Sequence, residues 1–165
     1  MKTLSRIKTV LLLVSICSLG SGCSQKANQA EKNEQLVRTY FGEVWNKGRV
    51  GYLDKLLSNN YINHTPSVPN PRKGPEGLKP IVLAIRKGFP DLHYEIMDVI
   101  ATNDRVVARV VMTGTNTDSL FGSPPTGKKI RVNQINIEKI ENGRISEHWR
   151  VTEELELNRQ LGLLK

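Results

Sequence analysis

The sequence predicts a single α+β domain in which N-terminal helices pack on one face of a curved, mainly antiparallel sheet. In the first half of the chain apolar residues recur at helical spacing, whereas from Leu92 onward apolar and polar residues alternate as in strands. Two hairpin signals, Thr102-Asn103-Asp104 and Glu141-Asn142-Gly143, separate consecutive alternating runs. Alternating runs joined by short turns indicate an antiparallel meander.

Three helices are expected before the sheet. Residues 34–45 carry one apolar stripe at helical period, and Asn46-Lys47-Gly48 ends that helix. Further helices are predicted over residues 50–57 and 76–87; in the last of these, Pro80 requires either a start near residue 79 or a distorted first turn. The remaining predicted elements are a short extended piece at residues 61–64, a proline-rich loop after it, and strands at residues 92–101, 105–114, 129–141 and 144–152.

The N-terminal residues predict export and a lipid anchor. Residues 1–22 combine basic positions, an apolar run of about ten residues and a Gly-Ser-Gly stretch before Cys23, and a membrane-spanning helix would need about 20 apolar residues. The segment resembles a lipoprotein signal, although Leu19 lies one place too far upstream of Cys23. Cys23 would then be acylated, residues 23–32 would form a flexible tether, and residues 33–165 the domain. Ordinary secretion with a free thiol is the alternative.

Composition limits the classes of partner. Cleavage after residue 22 would leave 143 residues, enough for one core, and would remove Lys2, Arg6 and Lys8, so the net charge would fall from +8 to +5. The basic residues are dispersed and lack interleaved aromatic residues, which argues against a nucleic-acid partner. No disulfide is expected in the mature domain, because Cys23 would be its one cysteine.

An ordered set of short motifs resembles one known family over nearly the whole mature chain. The motifs are Val44-Trp45-Asn46-Lys47-Gly48, Tyr61-Ile62-Asn63-His64, Phe89-Pro90-Asp91-Leu92, Thr113-Gly114-Thr115, the Pro-Pro-Thr-Gly loop at residues 124–127, and the residues 142–149 followed by Gln160-Leu161-Gly162. Together they resemble SnoaL-like polyketide cyclases, also called ester cyclases, of the nuclear-transport-factor-2-like superfamily. The resemblance implies a cone-shaped α+β barrel, a pocket inside it, no cofactor, and a homodimer that pairs through the open sheet face.

The resemblance also implies a catalytic carboxylate four residues after the tryptophan. Here that position is Glu153 where the family has aspartate, Glu156 replaces a usual glycine, and Asn116 replaces a frequent histidine. Counting in twos from Trp149 places Glu153 on the same strand face as the tryptophan, provided that no bulge intervenes. A surface glutamate in an acidic run is the alternative interpretation. His64, at the predicted rim, would orient a substrate carbonyl or share a proton with Glu153, or else play a structural role.

Other residues are expected to line the pocket. Arg109 interrupts an apolar strand, and Asn133 and Gln134 place amides within another, as at a small polar spot in an apolar cavity. His148 lies on the opposite alternation from the tryptophan and is predicted to be exposed or at a subunit contact. The three histidines are scattered, which disfavours a metal site. The remaining predicted pocket residues are Trp45, Tyr61, Phe89, Met112 and Trp149.

Two functions are consistent with these observations. The first is a cofactor-independent acid/base enzyme that acts on a small, mainly apolar carbonyl compound, with Glu153 and His64 at its centre. The second is a non-catalytic lipoprotein that binds a small hydrophobic ligand or a protein partner at the cell surface. An extracytoplasmic, membrane-anchored location argues against a literal role in polyketide synthesis.

Overall fold

The first helix is longer than its apolar stripe. The computed structural model describes residues 21–69 and 71–164, with side chains from Ala27 onward, and its first helix, α1, spans Ser21–Thr39. It continues into a wider π-helical segment, Tyr40–Asn46, which buries Tyr40, Phe41, Val44 and Trp45 together. All four side chains belong to the hydrophobic core of the domain.

The structure corrects the expectation of a flexible tether, because residues 23–32 lie within α1. These residues are polar but are mostly good helix formers, and a helix without an apolar stripe escapes periodicity arguments. Asn33 anchors the helix by donating hydrogen bonds to the carbonyls of Thr102 and Asn103, each at 2.9 Å. The predicted signal, residues 1–22, lies almost entirely outside the described residues, and so does the side chain of Cys23.

Two shorter helical elements follow and cover the same side of the sheet. A 3-10 turn at Val50–Tyr52 leads into α2, Leu53–Leu56, and α3 spans Pro75–Gly88. Because Pro75 lies at the start of α3, the helix begins earlier than expected and Pro80 falls in its second turn. No helix in the described part of the chain is both long and apolar enough to cross a membrane.

Five strands form one mixed sheet. They are β1 (Leu57–Asn63), β2 (His93–Ala101), β3 (Arg105–Thr115), β4 (Lys129–Glu141) and β5 (Arg144–Thr152), in the order β1-β5-β4-β3-β2. The predicted four-stranded antiparallel meander is confirmed, and β1 adds a fifth strand parallel to β5. Among the described strands β1 and β2 form the two edges, so the curved sheet does not close into a barrel.

The helices cover one face of the sheet and form the core with it. Fully buried side chains come from every layer, and burial of each is worth about 1.5–3 kcal/mol relative to exposure. They include Val37, Val44, Leu53, Leu57, Val82, Val106, Val110 and Ile145. We call this covered face the inner face of the sheet. A final helix, α4 (Glu154–Leu161), follows β5 directly and ends at Gly162, whose φ of 74° suits a left-handed cap.

Candidate active site

A row of polar side chains lies on the inner face of the sheet. Gln134, Asn136 and Glu138 alternate along β4 and are all buried, which is uncommon for such residues. On β5 the inner face presents His148, which is buried, and Arg150, which lies beside Asn136 in the register of the two strands. Strand alternation therefore brings amide, carboxyl, imidazole and guanidinium groups together inside an otherwise apolar core.

A cavity of about 530 Å³ opens onto one end of this row. Its polar lining includes Gln134, Arg150, Thr152 and, on α4, Glu154 and Asn158. Most of the remaining wall is apolar, as in typical small-molecule sites. The apolar and aromatic lining residues are Pro66, Ile85, Phe89, Tyr94, Met112, Leu120, Phe121 and Leu157.

A much smaller space, of about 10 Å³, adjoins the cavity on the side of the core. Both spaces are lined by Tyr94, Gln134 and Arg150, so these residues lie at the junction. The smaller space reaches His148 and Asn136 and is also lined by the aromatic residues Tyr40, Phe41 and Trp45. Burial raises the pKa of the Tyr94 phenol to about 12, so that this wall stays neutral at physiological pH.

His148 and Glu138 form a buried pair behind this junction. The Nδ1 atom of His148 lies 2.8 Å from Oε1 of Glu138, and the two residues are only 5% and 1% exposed. Burial raises the pKa of the Glu138 carboxyl, and the neighbouring His148 opposes that rise. Because Nδ1 is engaged by the carboxyl, Nε2 is the ring nitrogen available for proton exchange.

Several polar atoms around the pair are unsatisfied. Within the described residues, Oε2 of Glu138, Nδ2 of Asn136 and Oγ1 of Thr152 are buried without a hydrogen-bond partner. Buried polar groups without partners are costly and rare in folded proteins, and they require an explanation where they occur. Their concentration on the inner face marks this region as a candidate site for the polar part of a ligand.

Comparison with known proteins identifies the family. The sequence model of the SnoaL-like polyketide cyclases matches residues 35–161, which is most of the chain. The chain belongs to the SnoaL-like polyketide cyclase family. The family assignment made from the sequence motifs is therefore confirmed, and so is the α+β fold with N-terminal helices packed on the sheet.

Individual relatives are similar over most of their length. The chain is 27% identical over 122 residues to the aklanonic acid methyl ester cyclase of Streptomyces peucetius, covering 73% of this chain and 84% of the relative. It is 25% identical over 106 residues to the nogalonic acid methyl ester cyclase of Streptomyces nogalater, covering 64% and 79%. Among solved structures, TsrD from Streptomyces laurentii superposes with a TM-score of 0.74 at 28% identity, covering 81% of this chain and 97% of TsrD.

The structure places the carboxylate implied by the SnoaL-like resemblance outside the cavity. Glu153 precedes α4 and is exposed, and its Oε2 accepts hydrogen bonds from the backbone N–H and the side-chain amide of Asn133, at 2.9 and 3.0 Å. Glu153 does share the face of Trp149, as counted, but that face is the outer one. Asn133 lies there too, and does not line the cavity, while its neighbour Gln134 does.

His64 also lies on the outer face, together with Trp149. The His64 ring stacks on Trp149 with centroids 4.4 Å apart, and its Nε2 lies 2.7 Å from Oε2 of Glu147. The guanidinium carbon of Arg105 lies over the Trp149 ring, 5.9 Å from its centroid. The imidazole therefore has structural partners, and the structure does not bring it together with Glu153 or with the cavity.

Arg109 forms an ion pair instead of lining the pocket. Its Nε and Nη2 atoms lie 2.7 and 2.6 Å from Oδ2 of Asp98 on the neighbouring strand, at the exposed face. Asp98 follows a bulge in β2 that the alternation pattern did not reveal. Among the other predicted pocket residues, Phe89 and Met112 line the main cavity, Trp45 lines the smaller space, and Tyr61 is buried in β1 without lining either.

The inner-face residues His148, Glu138 and Arg150 were missed as site residues. His148 was predicted to be exposed or at a subunit contact, which is wrong, because it is buried against Glu138. The alternation of β4 contained the missing signal, since Glu138 is in step with Val132 and Ile140. An acid in phase with buried aliphatic residues is the pattern that predicts a buried carboxyl.

Proposed function

We propose that the protein is a cofactor-independent acid/base enzyme that acts on a small carbonyl compound bound in the inner-face cavity, with His148 as the proton-transferring group. The main supporting observation is the buried His148–Glu138 pair, whose histidine lines the small space next to a ligand-sized cavity. Membership of a family whose matched relatives are named as methyl ester cyclases supports carbonyl chemistry of this type.

The proposed chemistry needs one group that both takes and returns a proton. His148 would accept a proton from the carbon next to a carbonyl, and the resulting enolate carbon would attack a second carbonyl of the same molecule. The proton would then pass to the new alkoxide oxygen, so no oxidant or reductant is consumed. An imidazole suits both steps near neutral pH, and a buried carboxyl on its other nitrogen fixes the ring orientation. Gln134, at the junction of the two spaces, would donate to the substrate oxygen.

The test compares the inner-face histidine with the outer-face glutamate. Full-length protein and the variants His148→Gln and Glu153→Gln are incubated with a panel of neutral and anionic small carbonyl compounds that includes aromatic β-keto esters, and products are followed by mass spectrometry. We expect kcat to fall by about 100-fold in His148→Gln, in the range of general acid–base catalysis, and to change little in Glu153→Gln.

Three other outcomes would count against the proposal. Loss of turnover in Glu153→Gln alone would return the acid/base role to the outer-face carboxylate. An equal loss in both variants, together with a lower melting temperature in both, would indicate a structural effect. Retention of ligands in native mass spectra without turnover of any substrate would mean that the protein is a binding protein and not an enzyme.

We also propose that Cys23 carries a lipid and holds the domain at the outer side of a membrane. The support is the order of basic, apolar and small residues before Cys23. Mass spectrometry of the N-terminal peptide from cell membranes should find diacylglyceryl on this cysteine, and Cys23→Ser should move the protein to the soluble fraction. Unchanged fractionation of the variant would contradict the anchor.

A homodimer through the outer face of the sheet is the third proposal. Ile135 and Val151 are paired in register across β4 and β5 and are 47% and 72% exposed, so they form an apolar step on this face. Light scattering should give twice the protomer mass for wild type and one protomer mass for Ile135→Glu. Leu83→Glu, at an exposed position on α3, is the control that should leave a dimer intact.

A further inference from the structure

Arg150 is a cationic residue at the junction of the main cavity and the smaller space. It lies on the inner face of β5, and its side chain lines both spaces. Its backbone N–H donates to Oγ1 of Thr65 at 2.8 Å, which fixes the strand against the loop after β1. The backbone that carries the guanidinium therefore belongs to the sheet.

Among the residues that the structure describes, the guanidinium has no partner of opposite charge. Its only side-chain hydrogen bond among the described residues is from Nη2 to Oγ of Ser67 at 3.2 Å, and no carboxylate there lies within ion-pair distance. A guanidinium has five N–H donors, and when it is partly removed from water those donors need acceptors. Most of the N–H donors of the Arg150 guanidinium are therefore without an acceptor among the described residues and are available to a ligand.

Three other arginines of the domain have hydrogen-bond acceptors among their neighbours. Arg109 pairs with Asp98, and Arg159 pairs with Glu156 through two nitrogens. Arg86 donates to the backbone carbonyls of Trp45 and Asn46 at 2.7 and 2.9 Å. Arg150 differs from all three, because its guanidinium is bound to neither a carboxylate nor a backbone carbonyl among the described residues.

The acidic residues near Arg150 do not neutralise it. Glu138 is engaged by His148 behind the junction, and Glu154 is exposed on α4 at the cavity wall without an ion pair to Arg150. The cavity consequently has a positive group at its inner end and apolar walls that include Phe89, Met112 and Leu157. An amphipathic molecule with one anionic group would match both features.

We propose that the cavity takes an amphipathic anion, such as a carboxylate with an apolar body, whose charged group binds the Arg150 guanidinium. A carboxylate accepts two parallel N–H bonds from a guanidinium, and this geometry adds specificity as well as affinity. The inference rests on the proposed use of the cavity as the substrate site and narrows the substrate to carbonyl compounds that carry a negative charge. It requires no turnover, so binding alone can test it.

The test uses two fluorescent probes that differ mainly in charge. 8-Anilinonaphthalene-1-sulfonate is an amphipathic anion, and N-phenyl-1-naphthylamine has the same rings without the sulfonate. Full-length wild type is titrated with each probe beside Arg150→Met, Arg150→Lys and Arg109→Met. We expect Arg150→Met to lose at least about tenfold in affinity for the sulfonate, the range for a charge-assisted hydrogen bond, and to keep its affinity for the neutral amine within about twofold.

The variants Arg150→Lys and Arg109→Met distinguish charge recognition in the cavity from a general effect of removing a positive charge. Arg150→Lys should recover part of the sulfonate affinity, and Arg109→Met should bind both probes like wild type, because Arg109 lies on the outer face. Sulfonate affinity that is unchanged in Arg150→Met, or lowered equally in Arg109→Met, would overturn the proposal. An equal loss of both probes in Arg150→Met with a normal melting curve would show that Arg150 shapes the cavity without recognising charge. Loss of turnover in His148→Gln with unchanged binding of both probes leaves this inference intact.

Discussion

The Nδ1 atom of His148 lies 2.8 Å from Oε1 of Glu138, and both residues are almost completely removed from solvent. This contact joins two neighbouring strands on the inner face of the sheet, where Glu138 and His148 are directly opposite in register. The second oxygen of the carboxyl has no partner among the described residues. The pair is therefore held in place by the sheet but is only partly satisfied, as expected for groups that serve a ligand and not the fold.

The pH dependence of stability should reveal the burial of Glu138. Burial raises the pKa of the carboxyl in the folded protein above its ordinary value of 4.5. Between the unfolded and folded pKa values of this carboxyl, the folded state binds more protons than the unfolded state. The contribution of Glu138 to the free energy of unfolding is therefore largest below about pH 4.5 and decreases as the pH rises through the folded pKa. The free energy of unfolding of wild type, relative to Glu138→Gln, should therefore decrease from pH 4 to pH 8 in urea titrations. A difference that is flat or increases with pH would contradict the raised pKa.

Asn116 is predicted to be a structural residue and not a substitute for a site histidine. Its Oδ1 accepts hydrogen bonds from the backbone N–H and hydroxyl of Thr126, at 2.8 and 3.1 Å, and its Nδ2 donates to the carbonyls of Gly88 and Asp118. Asn116→Ala should lower the free energy of unfolding by about 2–4 kcal/mol, because buried backbone groups lose their partners. The exposed neighbour Thr117 provides the control, and Thr117→Ala should be close to neutral. A similar small effect of both substitutions in thermal unfolding would refute the structural role.

The general layout was predictable because hydrophobic period reports which face of an element is buried. The strands β2 to β5 and the helical stripe through Trp45 follow that rule, and the bounds of the four strands were predicted to within about one residue. The helix over residues 154–161 was missed, since its first turn holds Glu154 and Glu156 and only Leu161 is buried. Acidic residues at a helix start and a left-handed glycine after its end were the available signals.

The face of β5 could not be derived from the sequence because the strand contains a bulge. Ile145 is fully buried, and strict alternation from it would place Glu147 and Trp149 on the inner face. Lys139 pairs with Glu147 while Ile140 pairs with Ile145, so Ser146 is the additional residue that reverses the alternation. His148 and Arg150 face inward for this reason, and Trp149 and Glu153 do not.

Asn46 is predicted to hold the end of the π-helical segment against the start of β2. Its Oδ1 accepts from the N–H of Tyr94 at 2.7 Å, and its Nδ2 donates to the Tyr94 carbonyl at 3.0 Å, which replaces strand pairing at that edge. Asn46→Ala should cost about 1–3 kcal/mol of stability in chemical denaturation, because one donor and one acceptor are left unpaired. Asn46→Asp keeps the acceptor only, so its free energy of unfolding should lie between those of wild type and Asn46→Ala. An effect as small as that of Asn59→Ala, at an exposed position of β1, would show that the contact is dispensable.

Two helical glycines should respond to alanine in opposite directions. Alanine normally stabilises a helix by up to about 1 kcal/mol over glycine. A Cβ added to Gly42 in the π-helical segment would meet no described atom within 4 Å apart from those of its own helix backbone and chain neighbours. A Cβ at Gly77, near the start of α3, would overlap the carbonyl oxygen of Arg72 and push the preceding loop away from the helix. Gly42→Ala should therefore raise the melting temperature, whereas Gly77→Ala should destabilise by about 1–3 kcal/mol, as overpacking does. A rise in melting temperature for both variants would mean that the chain around Arg72 yields without cost, and that the close approach at Gly77 does not stabilise the loop leading to the cavity wall.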